Sequence, residues 1–144
     1  MREPVIRLAP GAENNGFAGM LAQLVRQNLE ERPEKKKTLA RMTGRIALVV
    51  VDLGLSVTLE LEAGELTVHD GIVGIPDVTV RADSEWHTKM SLVELEPRFG
   101  LPDPRGEVTR EVLEASRRGD VKVYGMLGSL GLMLRLTKLL SVAG

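Results

Sequence analysis

The last stretch of the chain, Val121 to Ser141, joins a short strand to the most apolar helical run in the sequence. Val121-Lys122-Val123-Tyr124 is followed by Gly125-Met126-Leu127-Gly128-Ser129-Leu130-Gly131 and then by Leu132 to Leu140. On a helical projection only the row Gly128, Gly131, Arg135, Lys138 is thin or polar. Leu127, Leu130, Met133, Leu134 and Leu140 spread over most of the remaining circumference. Such a helix cannot lie with all its sides in water. It fills a core, walls a cavity or is shared with a partner, and the residue pattern leaves the three uses open.

A chain of 144 residues fits one domain, 1–144, with a core of ordinary size. Its 19 basic and 20 acidic residues leave a net charge of -1, so no basic excess points to a nucleic-acid partner. The absence of Cys removes disulfides, thiolate zinc sites and cysteine nucleophiles, and it suits a reducing compartment. The N-terminal residues show no signal-peptide core and no run is long enough to span a bilayer, so a soluble, cytoplasmic protein is expected. The aromatic residues are Phe17, Trp86, Phe99 and Tyr124, so interior surfaces are aliphatic and softened by Met.

Residues 1–15, with their prolines and the pair Asn14-Asn15, read as an extended lead-in that ends at a helix cap. Phe17, Met20, Leu21, Leu24, Val25 and Leu29 then recur at helical spacing and predict an amphipathic helix from Gly16 to Glu31. A second short helix follows Pro33 and stops near Gly44; its Lys35, Lys36, Lys37 and Arg41 suit a solvated face, or transient contact with an anionic membrane. At Arg45 the period changes. Ile46 to Val51 reads as a strand buried on both faces or nearly so. Val57, Leu59 and Leu61, then Leu66 and Val68, then Val78, Val80 and Ala82 alternate with polar residues in three further strands. Links this short predict antiparallel pairing, and the dry sheet face needs the first and last helices as cover. Asp83-Ser84 caps a short helix carrying Trp86 and Met90, a proline-rich loop runs from Pro97 to Gly106, and Glu107 to Arg118 returns to helix before the fifth strand.

No motif in this order carries chemistry. Gly125, Gly128 and Gly131 have the wrong spacing for a dinucleotide or phosphate loop, and small residues there suit close packing of a helix start against a sheet. Ser129 lacks the nucleophile-elbow pattern, and His69 and His87 both precede it. The histidines read as surface residues without metal-ligand spacing, and Glu60, Glu62, Glu65 and Asp70 as solvated charge. A non-enzymatic protein is expected, with no catalytic residue, metal or cofactor.

Several local patterns nonetheless resemble the sterol carrier protein 2 family over 44–142. They are the Gly64 turn before Leu66, Val68 and Gly71; Pro76-Asp77-Val78-Thr79-Val80 leading to Asp83-Ser84-Glu85-Trp86; and Gly119-Asp120-Val121-Lys122-Val123-Tyr124-Gly125 before an aliphatic helix. Met126 stands where members often carry a polar residue, and the sequence ends Ser141-Val142-Ala143-Gly144, without a peroxisomal tripeptide. The resemblance implies an α+β fold in which a five-stranded, mainly antiparallel sheet has helices on one face and encloses an apolar cavity. The expected function is that of a lipid carrier for fatty acyl, isoprenoid, phospholipid or sterol-like ligands. Trp86, Met90, Phe99, Leu127, Leu130, Met133 and Leu134 are the expected ligand contacts, and Arg135 or Lys138 a partner for an acidic head group. The rival reading is an interaction module or homodimer that uses the apolar last helix without a ligand.

Overall fold

A computed structural model of the chain describes residues 3–142. Met1 and Arg2 of the expected lead-in, and Ala143 and Gly144 at the C-terminus, lie outside the described residues. The strands are β1 (Val5–Leu8), β2 (Gly44–Val50), β3 (Leu55–Glu62), β4 (Glu65–Asp70), β5 (Val78–Ala82) and β6 (Val121–Tyr124). The helices are α1 (Gly16–Glu31), α2 (Lys35–Ala40), α3 (Ser84–Met90), α4 (Glu107–Arg118) and α5 (Leu130–Leu140). The six-stranded sheet has the order β1-β4-β3-β2-β5-β6. The class is the expected α+β with a mixed sheet, in which β4-β3, β3-β2 and β5-β6 pair antiparallel and β1-β4 and β2-β5 pair parallel.

Two features correct the sequence reading. The lead-in contains a sixth strand, because Val5 to Leu8 pairs with Glu65 to Val68 and turns Ile6 and Leu8 towards the core. The four residues of β1, set between Pro4 and Pro10, are too few for a period to show, and the prolines suit an edge. Second, β4 and β5 do not form a hairpin. Residues 71–77 instead run across the sheet's polar face and deliver the chain to β5 alongside β2, in register Ile46↔Val78 to Val50↔Ala82. An extended segment of this length spans roughly 23 Å at about 3.3 Å per residue, enough to make a parallel crossover without a helix.

That crossing segment explains why the polar face is not simply wet. Thr58 is fully buried beneath it: its hydroxyl donates to the Gly71 carbonyl at 2.8 Å and accepts from the Val73 N–H at 3.0 Å. Farther along, the Arg45 guanidinium donates to Glu60 at 3.1 Å, and His69 Nε2 lies 3.2 Å from the other oxygen of that carboxylate. The hydrogen bond with His69 and the charge of Arg45 hold Glu60 below the ordinary carboxylate value. These groups form a paired surface network, as expected of structural charge.

The dry face is lined by Ile46, Leu48, Leu59, Leu61, Leu66, Val68, Val78 and Val80, and α1 and α5 cover it. Asn15 caps α1 by accepting from the N–H groups of Phe17 and Ala18 at 3.1 and 3.2 Å. Leu21, Val25 and Leu29 form its inner stripe. Leu132, Met133, Leu136, Leu139 and Leu140 do the same for α5. His87 is not a surface residue. It is 9% exposed, its Nε2 lies 2.8 Å from the Val49 carbonyl, and its ring meets Phe17 edge-on at 5.6 Å. Burial lowers its pKa and favours the neutral imidazole.

Candidate functional site

The outer side of α5 meets α2 and the loop after α3 in an open groove of about 420 Å³. Phe99, Leu101 and Leu134 supply its apolar wall, Gly100 and Gly131 leave it room, and Lys37, Arg41, Arg135 and Lys138 stand around it with Glu34. A second depression of about 420 Å³ shares Glu34, Phe99, Gly100 and Lys138 and continues towards Leu95 and Pro97. Phe99 thus borders both, and it is 63% exposed, an uncommon state for a side chain of this size.

Each wall is held by identifiable interactions. The loop is pinned by one carboxylate: Glu96 accepts from the N–H groups of Arg98, Phe99 and Leu101 at 2.9, 2.6 and 3.2 Å. Desolvation pushes that carboxyl up, but the surrounding N–H groups outweigh it and leave the pKa below its ordinary value. Gly100 has φ +70°, and a Cβ there would sit 2.7 Å from Lys138 Cε, so this glycine lets the lysine stem lie against the loop. Nearby, Glu94 accepts from the Val108 and Thr109 N–H groups at 3.2 and 3.1 Å and so caps α4, whose own Gly106 offers no side chain.

The C-terminal end of α5 is clamped from α1 and α2. Asn28, fully buried, donates to the carbonyls of Leu139 and Leu140 at 2.9 and 3.1 Å, and Arg32 donates to Val142 at 3.0 Å. The ammonium of Lys35, only 2% exposed, donates to the Ser141 carbonyl. These donors satisfy carbonyls that a helix end leaves without intrahelical partners, and the cation also complements the helix dipole. Desolvation, reinforced by Arg32, lowers the pKa of Lys35 to about 8.

At its other end α5 begins later than the leucine pattern predicts. Gly125 to Ser129 form a tight turn in which the Ser129 N–H donates to Gly125 at 3.1 Å. Only the first glycine is closely packed: Gly125 has φ +84°, and a Cβ there would lie 2.1 Å from the Asp77 carbonyl oxygen. Gly128 and Gly131 face open space or the Arg135 side chain, so close packing does not explain them.

The expected ligand contacts are consequently divided. Phe99 and Leu134 lie together in the groove. Met90 and Met133 are buried in the core. Leu130 is 51% exposed and precedes Gly131 of the groove, while Leu127 is fully exposed on the turn before α5. Trp86 lies elsewhere, against α4 and the β5 end of the sheet, with the Lys89 ammonium 5.0 Å from its ring centre. Leu101, Lys37 and Arg41 were not anticipated as site residues. The lysine cluster carried a signal for the last two, but nothing in the sequence brings α2 beside α5.

The SCP-2 sterol transfer family model matches residues 21–98. The chain belongs to this family. Membership gives lipid binding or transfer as the class of function. No curated protein matches the sequence. Among solved structures, a "UbiJ-SCP2 Ubiquinone synthesis protein" aligns with TM-score 0.63 at 19% identity, covering 92% of this chain and 98% of that one. A sterol carrier protein 2 crystal structure aligns with TM-score 0.52 at 20% identity, covering 86% and 93%. The apo sterol carrier protein 2 of Yarrowia lipolytica aligns with TM-score 0.52 at 13% identity, covering 93% and 96%. At these identities the likeness concerns the fold. No helix among the described residues is long and apolar enough to cross a membrane.

Proposed function

We propose that the protein is a non-enzymatic, cytoplasmic lipid carrier that seats an apolar chain in the groove between α2, the Phe99 loop and α5. The observation that carries this reading is the apolar wall of exposed Phe99 and Leu101 and half-buried Leu134, on a member of a lipid-transfer family. A ligand chain laid along it would remove these side chains from water, which favours binding by roughly 25 cal/mol per Å² before the costs of association. The groove volume falls in the range of about 300–1,000 Å³ usual for small-molecule sites. Met133 on the inner face of α5 and Met90 of α3, both in the core, would let the wall adapt to chains of different shape. Trp86 and Leu127 are outside the site in this reading.

Titration with a fluorescent fatty-acid analogue tests it. The wild type should bind in the micromolar range or tighter, and Leu134→Asp, which places a carboxylate on the apolar wall, should weaken binding at least about tenfold. Because Trp86 stands apart, its emission should stay unchanged at saturation. Equal affinity in the two proteins would refute the assignment of the groove.

A further inference from the structure

The turn that leads into α5 carries Leu127, the most exposed large apolar side chain among the described residues, and nothing in the ligand groove requires it. Leu127 is fully exposed, and Met126 and Leu130 are 41% and 51% exposed. Gly125 anchors the start of this turn by its close approach to the Asp77 carbonyl, and the Ser129 N–H closes the turn on the Gly125 carbonyl. Farther along the helix follow Arg135 and Lys138, on the row of Gly131 that borders the groove, with Lys37 and Arg41 across it. None of these cations forms an ion pair among the described residues. At about 1.5 Å per residue, Arg135 and Lys138 lie roughly 8 and 12 Å along the axis from Leu130.

We infer that this end of the molecule docks on an anionic lipid bilayer. Leu127, Met126 and Leu130 enter the interface, and Arg135, Lys138, Lys37 and Arg41 lie against the phosphates. An apolar tip followed by four cations, with Glu34 the one carboxylate lining the same groove, matches the layering of a membrane surface, where apolar side chains sit below the head groups and basic ones among them. The charges also decide against a second copy. A two-fold dimer pairs a surface with itself, so packing this face against its equivalent would bring the same cations together. Docking here would place the mouth of the groove at the bilayer. The inference stands on its own observations, whether or not the groove holds a lipid.

The test is sedimentation with vesicles of phosphatidylcholine alone and of phosphatidylcholine mixed with phosphatidylglycerol. The wild type should pellet several-fold more with the anionic vesicles, less so as salt screens the charges. Leu127→Asp should lower the bound fraction at least about tenfold. Lys37→Glu with Arg41→Glu should abolish the preference for phosphatidylglycerol. The exposed position of Leu127 leaves the fold intact in its variant, which circular dichroism verifies. In vesicle-free solution Leu127→Asp should bind the fluorescent fatty-acid analogue as the wild type does, which separates docking from ligand binding. Equal pelleting with both vesicle types, or wild-type pelleting by Leu127→Asp, would overturn the proposal. So would loss of fatty-acid binding by that variant, which returns Leu127 to the ligand site, or a dimer in light scattering that Leu127→Asp dissolves, which gives the face to a second copy.

Discussion

Lys35 shows how far a single side chain can depart from what its sequence neighbours suggest. In Lys35-Lys36-Lys37 all three read as solvated, yet Lys35 is buried against the end of α5 while Lys36 reaches Glu3 at 3.6 Å. Its folded pKa of about 8 lies below the ordinary 10.5. Between these values the unfolded chain binds more protons than the folded one, so stability rises with pH across that window. The drop corresponds to up to about 3 kcal/mol. Urea denaturation of the wild type and of Lys35→Met should therefore show their difference shifting in favour of the wild type from pH 8 to 10.5. A difference that stays flat with pH would mean that the ammonium is solvated. Thr58 and His87 belong to the same class of surprise. Alternation put Thr58 on a wet face and nothing marked His87 as inner, because the covering segment and Phe17 come from elsewhere in the chain.

At the scale of elements, α5 resolves the ambiguity of its own sequence. Its inner face is core, its outer face borders a groove, and leucines occupy both, so no projection could divide them. Leu136 is 1% exposed, whereas Leu130 is 51% exposed. Leu136→Ala should cost about 2–5 kcal/mol through lost burial and the cavity left behind, and Leu130→Ala only about 0.5 kcal/mol or less. Thermal unfolding of the two variants checks this, and similar losses would mean that the outer face is also packed. The other elements were legible to the degree that they carry their own signals. The stripe and Asn15 cap of α1 are local, as is the hairpin from β3 to β4 through Ala63 and Gly64, both at positive φ. The partner of β5 was not local. A short link suggested its sequence neighbour, while the chain crosses over Thr58 and Arg45 to pair with β2.

For the whole molecule, the α+β class, the helical cover and the family follow from patterns carried by consecutive residues, such as Pro76 to Val80 within the matched residues 21–98. The groove does not, because it forms where α2, the Glu96-pinned loop and α5 meet, and each contributes only a few of its residues. Phe99 and Leu134 stand out in the sequence by their apolar character and Arg135 and Lys138 by their charge, whereas Leu101, Lys37 and Arg41 join them at the groove only through the fold. That junction is the ligand site we propose. Amide chemical-shift mapping by NMR, with a saturating long-chain fatty acid added to the labelled protein, reads it directly. The largest shifts should fall on Phe99 to Leu101 and Gly131 to Lys138, with the amides around Trp86 unmoved; shifts centred on Trp86, or confined to the sheet beneath α1, would contradict the account.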